Sequence, residues 1–425
     1  MADWYLKLWT RSGQYIGDYS LMNPEAEVRN SEVGGFSGEL ALGQTKRSLP
    51  LIGISRDEFA PYRTTYELWR QSTGNGVCIT DGMITSINLN KDRDTVLISG
   101  KDWKYYLQRR IYPFSPENYV TYNSLKPNDH WDKWPKQWHR PDLTDPAGNP
   151  DLTEIVRDIL LSMRTGVPVD RSVIPRPTVT APGVPDIVWN LSDTGVTIPE
   201  YKIYPGDQTS IYDHIQKLSE MKDGFEWDIL PISKEFKMWS PTKYSTNWPT
   251  YWFIPSDDET SGAITEFDWT NDGPDGTHLI GLGSGRHKVG ATWTTVANVE
   301  EFGRYDLVYD YGEVQSAEVI LNKLKDQNDL WPQKKLGLAL LNPEFLFLNF
   351  YTGGRPRSLI ADTVRVTHDF NPLHKVDAYF QVNAIKWNVD SSTNENVSLE
   401  LMQIYEPDTG FSGGIRPGGE SGRGG

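Results

Sequence analysis

The chain has 425 residues, room for about three domains at roughly 150 residues each. Its 57 Asp and Glu against 42 Lys and Arg give a formal charge of −15. That argues against a protein whose main task is gripping nucleic acid through its phosphates, though not against a surface past which nucleic acid slides without sticking.

Composition narrows the class further. With 37 % hydrophobic residues, 16 Trp and 21 Tyr, the chain carries too many large apolar groups to be disordered. Its 37 Gly and 28 Pro point to many turns and short strands rather than a helical bundle. The first residues, Met1-Ala2-Asp3-Trp4, lack a cationic segment followed by an apolar one, and no apolar run approaches the roughly 20 residues that cross a bilayer. Synthesis in a cytoplasm without a leader or a membrane-spanning segment is the expectation.

The first hundred residues read as strands. Trp4, Leu6 and Leu8 alternate with other neighbours, and Tyr66 and Leu68 do so between Glu67 and Arg70. Further strands are expected at 77–79, 83–89 and 95–99, the last two joined by the polar turn at 90–94. A β-barrel or small sandwich over 1–110 follows, with a short helix at 102–110. Residues 111–150 are rich in Pro and aromatics and show no period, which predicts a long ordered loop of functional or interfacial kind. It holds Trp131, Trp134 and Trp138.

Residues 151–265 read as an α+β domain. Leu152, Ile155, Val156, Ile159, Leu160 and Met163 fall on one helical face, with Asp151 and Glu154 resembling a capping box. After a Pro-rich linker, a second helix is expected over 210–222, with Ile211, Ile215 and Leu218 inward. Strands at 225–229 and 236–238 follow it. Residues 266–410 read as a further strand-rich region, with an inserted helix at 313–325 whose buried face is Ala317, Ile320, Leu321 and Leu324. Its strands fall at 336–341, 363–367, 376–389 and 397–401. In the long strand the inward phase switches between Ala384 and Ile385, as a β-bulge would require. The Gly-rich residues 411–425 read as a flexible tail.

Two distant stretches share a layout. Ile87-Asn88-Leu89-Asn90, a polar turn and Val96-Leu97-Ile98 parallel Trp387-Asn388-Val389-Asp390, a polar turn and Val397-Ser398-Leu399. Either any two hairpins look alike, or one chain carries two related barrels.

Little in the sequence argues for an enzyme. Gly281-Leu282-Gly283-Ser284-Gly285-Arg286 suggests a phosphate loop, yet no helix is expected at its last Gly, so a tight strand connection needing positive φ is the better reading. The seven histidines never reach metal-ligand spacing, and the acidic residues at 257–259 and 268–275 read as solvated faces or turns rather than a calcium loop. The one cysteine, Cys78, excludes an internal disulfide and is expected to be half-buried in a strand. No catalytic residue, metal site or cofactor is therefore assigned. A carboxylate pair for glycoside hydrolysis has no linear signature. It leaves one rival reading, a glycan-binding or cell-wall-degrading protein using Trp131, Trp134 and Trp138. Such aromatics more often fill an interface.

Two segments carry a family resemblance. One is Asp81-Gly82-Met83-Ile84-Thr85 through Val96-Leu97-Ile98-Ser99-Gly100-Lys101-Asp102-Trp103 to Leu107-Gln108-Arg109-Arg110. The other is Leu279-Ile280-Gly281-Leu282-Gly283-Ser284-Gly285, the stretch from Tyr305 to Tyr311, the helix after Gly312, and Asp362-Thr363-Val364-Arg365-Val366. With them the chain resembles the tail-hub, or minor tail, proteins of long-tailed actinobacterial bacteriophages, which are similar to the central hub of contractile-phage baseplates. The family often has Gly-Asp before the last strand, where this chain has Ala361-Asp362. The resemblance implies a mostly β fold with α+β parts, in which two tube-type β-barrel domains, 1–110 and 266–410, accompany helix-containing domains. It implies trimers around the tail axis, so that two barrels per chain continue a sixfold tube. Partners would be further copies, distal tube proteins above, and tail-tip or receptor-binding proteins below. The place would be the virion tail tip, with DNA passing through unbound. The net charge adds an expectation of its own: an acidic passage that repels phosphate, with Asp268, Asp272 and Asp275 facing it.

Overall fold

A computed structural model of the chain describes residues 3–10, 13–41, 60–71, 76–90, 95–112, 136–139, 151–165, 188–190, 200–203, 209–219, 224–239, 251–253, 264–270, 276–283, 289–294, 299–300, 303–311, 317, 320–321, 324–325, 335–340, 351–352, 355–356, 363–371, 374–389 and 395–403. They are mostly β. The chain divides into two compact units: Met1–Trp248, Leu340–Asp362 and Val382–Leu399 form one, and Pro249–Ala339, Thr363–Gln381 and Glu400–Gly425 the other.

In the first unit, β1 (Asp3–Thr10), β2 (Tyr15–Ser20), β3 (Met22–Arg29), β4 (Gly35–Ala41), β5 (Thr64–Gln71), β6 (Gly76–Asn90) and β7 (Thr95–Asp102) pair antiparallel in the order β3-β4-β7-β6-β5-β1-β2. Alternation sends Leu6, Leu8, Phe36, Leu40, Tyr66, Leu68, Ile84, Val96 and Ile98 inward. The sheet curls strongly. Phe36 of β4 and Tyr66 of β5 are two strands apart from direct neighbours, yet their ring centroids lie 4.4 Å apart. Only Gly100 fits between them, because a Cβ there would lie 2.5 Å from Tyr66 Cε1 and 2.6 Å from Phe36 Cε1.

Strand β6 is buried continuously from Val77 to Gly82. It absorbs this with two inserted residues, Ile79 opposite β5 and Thr85 opposite β7. Cys78 is fully buried there rather than half-buried, its Sγ 3.6 Å from the Thr80 carbonyl, and burial pushes its thiol well above the ordinary range. Arg70, expected as a polar flank, is 1 % exposed.

The helix after β7 is α1 (Trp103–Gln108), capped by Asp102. Next come β8 (Lys136–His139), α2 (Leu152–Thr165), β9 (Val188–Asn190), β10 (Glu200–Ile203), α3 (Ile211–Ser219), β11 (Glu226–Leu230) and β12 (Glu235–Trp239). Here β8 pairs β10, and β12 lies between β11 and a parallel β9. Leu152, Ile155, Val156, Ile159 and Leu160 are buried as their spacing requires. Asp151 caps α2 by accepting the Thr153 N–H. At α3 a reciprocal box joins Ser210 and Asp213, a cap the sequence reading passed over. These helices meet Trp227, Phe236 and Met238 in one core.

The second unit contains β13 (Tyr251–Phe253), β14 (Ile264–Thr270), β15 (His278–Leu282), β16 (Gly290–Thr294), β17 (Asp306–Asp310) and β18 (Lys335–Leu340). A small sheet has the order β16-β15-β17, with β17 parallel to β15. Helical residues Ile320 and Leu324 are buried against Leu279, whereas Ala317 is exposed and Leu321 half-buried, a narrower face than expected. Gly281 is mid-strand, not in a positive-φ connection. A Cβ there would collide with Ile320, so its role is to let the helix approach the sheet.

The chain ends with β19 (Tyr351–Thr352), β20 (Arg355–Pro356), β21 (Thr363–Asn371), β22 (His374–Val389) and β23 (Glu395–Gln403). Strand β21 pairs β22 over 363–371, and β22 then pairs β3 over residues 384–388. Burial does switch phase at Ala384 and Ile385, both buried, with Trp387 buried and Lys386 exposed. The ladder to β3 passes through Ala384–Arg29 and Ile385–Val28 without an inserted residue. The switch there is a change of covered face rather than the expected bulge.

One correction concerns closure. The described strands form open curled sheets, not closed barrels. Strand β3 already has β4 on one edge and β22 on the other, so β2, which pairs β1 alone, has no free edge of β3 to close against. The layout shared by the two hairpins does extend to whole strands. In β14-β18-β23-β22, with β21 beyond, the order repeats β3-β4-β7-β6 with β5 beyond.

Candidate functional site

One face of β22, β3, β4, β7 and β6 is polar across five adjacent strands. Cross-strand pairing sets it in rows: Lys386, Glu27, Gly35, Lys101 and Met83 form one, and Asn388, Glu25, Ser37, Ser99 and Ser86 the next. The opposite face carries Trp387, Ala26, Phe36 and Ile84, all buried. The polar rows border an open groove of about 670 Å³.

Arg29, Glu27, Glu32 and Lys386 are paired on this face, which also carries Lys101 and Glu25. Arg29 lies 2.8 Å from Glu27 and 2.9 Å from Glu32, Lys386 lies 3.3 Å from Glu27, and Ser37 Oγ donates to Glu25 at 3.2 Å. Burial alone would raise the Glu27 carboxyl, but Arg29 and Lys386 outweigh it and hold it below the ordinary value. The described part of the face is therefore balanced, not acidic.

A buried ionic clamp fixes the turn between β3 and β4. Asp102 Oδ2 accepts the Gly34 N–H at 2.9 Å, while its Oδ1 accepts the Lys104 N–H at 3.1 Å. The Lys104 ammonium, 2 % exposed, donates to the Arg29 carbonyl at 2.7 Å and to Asp228 at 2.8 Å, and lies 3.6 Å from Asp102. Ser31 Oγ donates to the Trp227 carbonyl, and Tyr212 donates to the Ser31 carbonyl. Nearby, Asp81 accepts the Ile232 N–H at 3.1 Å.

Burial sets the protonation of these groups. It pushes Asp102 up to about 6 against the pull of Lys104, and Asp81 up to about 7. Burial would lower Lys104, but Asp228 and Asp102 outweigh it and raise the ammonium above its ordinary value. The clamp positions the polar face; it shows no nucleophile beside a base.

A second buried ion pair holds β5 to β23. Arg70 Nε and Nη2 donate to Glu395 Oε1 and Oε2, each at 2.6 Å. This is the bidentate geometry in which guanidinium and carboxylate are matched.

Of the sequence-level candidates, Trp131, Trp134, Asp272 and Asp275 lie outside the described residues. Trp138 stands in β8, opposite Tyr201 of β10 in register, and Asp268 stands in β14 rather than in a turn. His278 hydrogen-bonds Thr294 across β15 and β16. Among the described residues no three His, Cys, Asp or Glu are grouped to hold a metal, and no helix is long and apolar enough to cross a membrane. The clamp was missed because Lys104 and Asp228 are 124 residues apart. Only the capping position of Asp102, just before a helix, was a usable signal.

No family model matches the chain, and no curated protein matches it in sequence. Solved structures do. The 43 kDa tail protein of prophage MuSo2 from Shewanella oneidensis aligns over 94 % of this chain and 98 % of its own, at 12 % identity and a TM-score of 0.57. A tail protein from Neisseria meningitidis aligns over 94 % and 96 %, at 11 % identity and a TM-score of 0.57. Prophage tail protein gp18 from Listeria monocytogenes aligns over 93 % and 94 %, at 11 % identity and a TM-score of 0.46. The chain has the fold of phage tail proteins.

Proposed function

We propose that this chain is a structural virion protein, the hub that closes a phage tail tube, links it to tip proteins and borders the DNA exit path. The carrying observation is the fold shared with tail proteins along nearly the whole length of both chains. The repeated strand order supports a tube-like role, since one chain then supplies two similar wall segments. In this reading the segments are residues 1–110 and 266–410, three copies surround the axis, and the long-tailed actinobacterial phages of the sequence resemblance are the setting.

The polar face of β22, β3, β4, β7 and β6 suits a wall past which duplex DNA moves. Its carboxylates offset its Lys and Arg, so phosphate meets little net attraction. A net repulsive field would then come from Asp268, Asp272 and Asp275. A reconstruction of assembled virions tests the reading. Three copies at the distal end of the tube are expected, with two wall segments per copy at similar radius. Six copies, or a position on a side fibre, would overturn it. Activity on purified cell wall that a single Asp or Glu substitution abolishes would favour the wall-degrading alternative instead.

A further inference from the structure

The Lys104 clamp brings together the reactants of an amide bond. Lys104 in α1 and Asp228 in β11 meet across 124 residues of chain, and Asp102 stands beside them. The three residues are 2, 5 and 8 % exposed. Trp103 and Trp227, their chain neighbours, are buried in one core with Tyr106 and Tyr212. Burial at this level keeps bulk water, which would reverse a condensation, away from the three side chains.

The atoms are placed for such a step. Lys104 Nζ lies 2.8 Å from Asp228 Oδ1, and the carboxyl carbon is one bond beyond that oxygen. The Ile229 N–H donates to the same Oδ1 at 2.8 Å, where it steadies the negative charge that builds on the oxygen during attack. The Arg29 carbonyl accepts from Nζ at 2.7 Å and fixes the place of the nitrogen. Asp102 Oδ2, 3.6 Å from Nζ, needs only a small shift to take a proton from it.

We propose that Lys104 and Asp228 condense to an intramolecular isopeptide bond between α1 and β11, with Asp102 as the proton carrier. As an ammonium Lys104 is no nucleophile, so the ion pair is the reactant state. Asp102 carries one proton from Nζ to Asp228 Oδ2, which leaves an amine facing a carboxylic acid. The amine attacks the carboxyl carbon and a carbon–nitrogen bond forms. Asp102 then moves a second proton from the nitrogen to Oδ2, the carbon–oxygen bond breaks, and Oδ2 leaves as water while Oδ1 becomes the amide carbonyl. Asp102 ends as it began. Burial favours the uncharged forms on this path and pushes Asp102 up to about 6, suited to passing protons near neutral pH. Asp228 and Asp102 hold the Lys104 ammonium above its ordinary value, which slows the first transfer. The bond forms once per chain, so a slow step suffices. It closes a long covalent loop and staples the α+β region to the first sheet, whether or not the chain is a hub.

Intact mass spectrometry of the purified full-length chain, followed by tryptic mapping after unfolding, tests the bond. The mass is expected to fall short of the sequence mass by one water. The digest should contain a branched peptide joining Lys104 to Asp228, with no cleavage after Lys104. Asp228→Asn should yield the same branched peptide by losing ammonia instead of water, because the leaving group is then the amide nitrogen. Lys104→Arg keeps the positive charge and should show its full mass. Asp102→Asn should slow formation of the bond at least about tenfold, as expected for loss of a positioned proton carrier. A chain folded by near-ultraviolet circular dichroism that keeps its full mass and is cut after Lys104 overturns the proposal. So does a water lost elsewhere, as in a succinimide at Asp81-Gly82, that leaves Lys104 open to trypsin.

Discussion

The strands β5-β6-β7 and β21-β22-β23 are the same meander built twice, with 8, 15 and 8 residues in the first and 9, 16 and 9 in the second. Their surroundings differ. Beyond β5 the first meander continues into an antiparallel β1; beyond β21 the second meets a parallel β13. The first has two inserted residues in its long strand, and its last strand runs directly into α1 and the Lys104 clamp. The difference teaches which part is the reusable unit. The long hairpin and the two strands on its flank repeat, while helices, clamps and outer strands are particular to each copy.

The largest effect should come from breaking the clamp beside the first meander, which the described residues of the second do not repeat. Lys104→Met leaves Asp102 and Asp228 buried without their cation. That should cost about 3–5 kcal/mol, the range for removing one partner of a buried pair. Urea denaturation followed by tryptophan fluorescence would read it, since Trp103 and Trp227 lie in the affected core. A loss below about 1 kcal/mol would mean that water already reaches the clamp.

Next in size is the Arg70–Glu395 pair, which ties the end of the first meander's β5 to the start of the second's β23. Glu395→Ala takes the bidentate carboxylate from a guanidinium that is 1 % exposed, at a cost of about 3 kcal/mol. Replacing both partners by Met should recover much of that loss, because the penalty lies in the buried charge more than in the missing attraction. Equal losses in the single and double variants would instead make the pair itself the stabilising element.

The buried carboxylates beside the first meander add a pH signature. Asp81 and Asp102, at about 7 and about 6, bind protons more tightly folded than unfolded, where a carboxyl titrates near 3.9. Unfolding therefore releases protons between about pH 4 and 7, and stability from these groups falls as pH rises through that window. Asp81→Asn keeps an oxygen for the Ile232 N–H and removes the ionisation. It should flatten the slope and stabilise the chain at pH 7.5 by about 1–3 kcal/mol. An unchanged slope in urea titrations from pH 5 to 7.5 would show that Asp81 does not titrate there.

How much of this was legible in the sequence follows from range. Periodicity along one segment located the helices at 152–165 and 211–219 and most strands of both meanders, because the pattern that buries them is local. The echo between the two hairpins was visible because their turns fall at matching places. Barrel closure was not, since it depends on which strand occupies each edge of β3, a matter between segments more than 350 residues apart. Gly281 was misread for a related reason: sequence shows a glycine, but only the helix above it shows that the need is space. Arg70 looked like a polar flank because its partner, Glu395, is distant in the chain.

The smallest effect expected is at the junction between the repeats. Lys386 and Glu27 face each other there at 3.3 Å, but Lys386 is 47 % exposed and Glu27 is shared with Arg29. An ion pair so open to water gives about 0.2–1 kcal/mol at most, less in salt. If the junction is held by its backbone ladder and by Trp387 on the buried face, Lys386→Ala should shift the urea midpoint barely at all. Trp387→Ala should cost about 3–5 kcal/mol, as for a large core aromatic. A large loss in Lys386→Ala that high salt erases would instead make the Lys–Glu pair, not the ladder and its apolar cover, what specifies the junction.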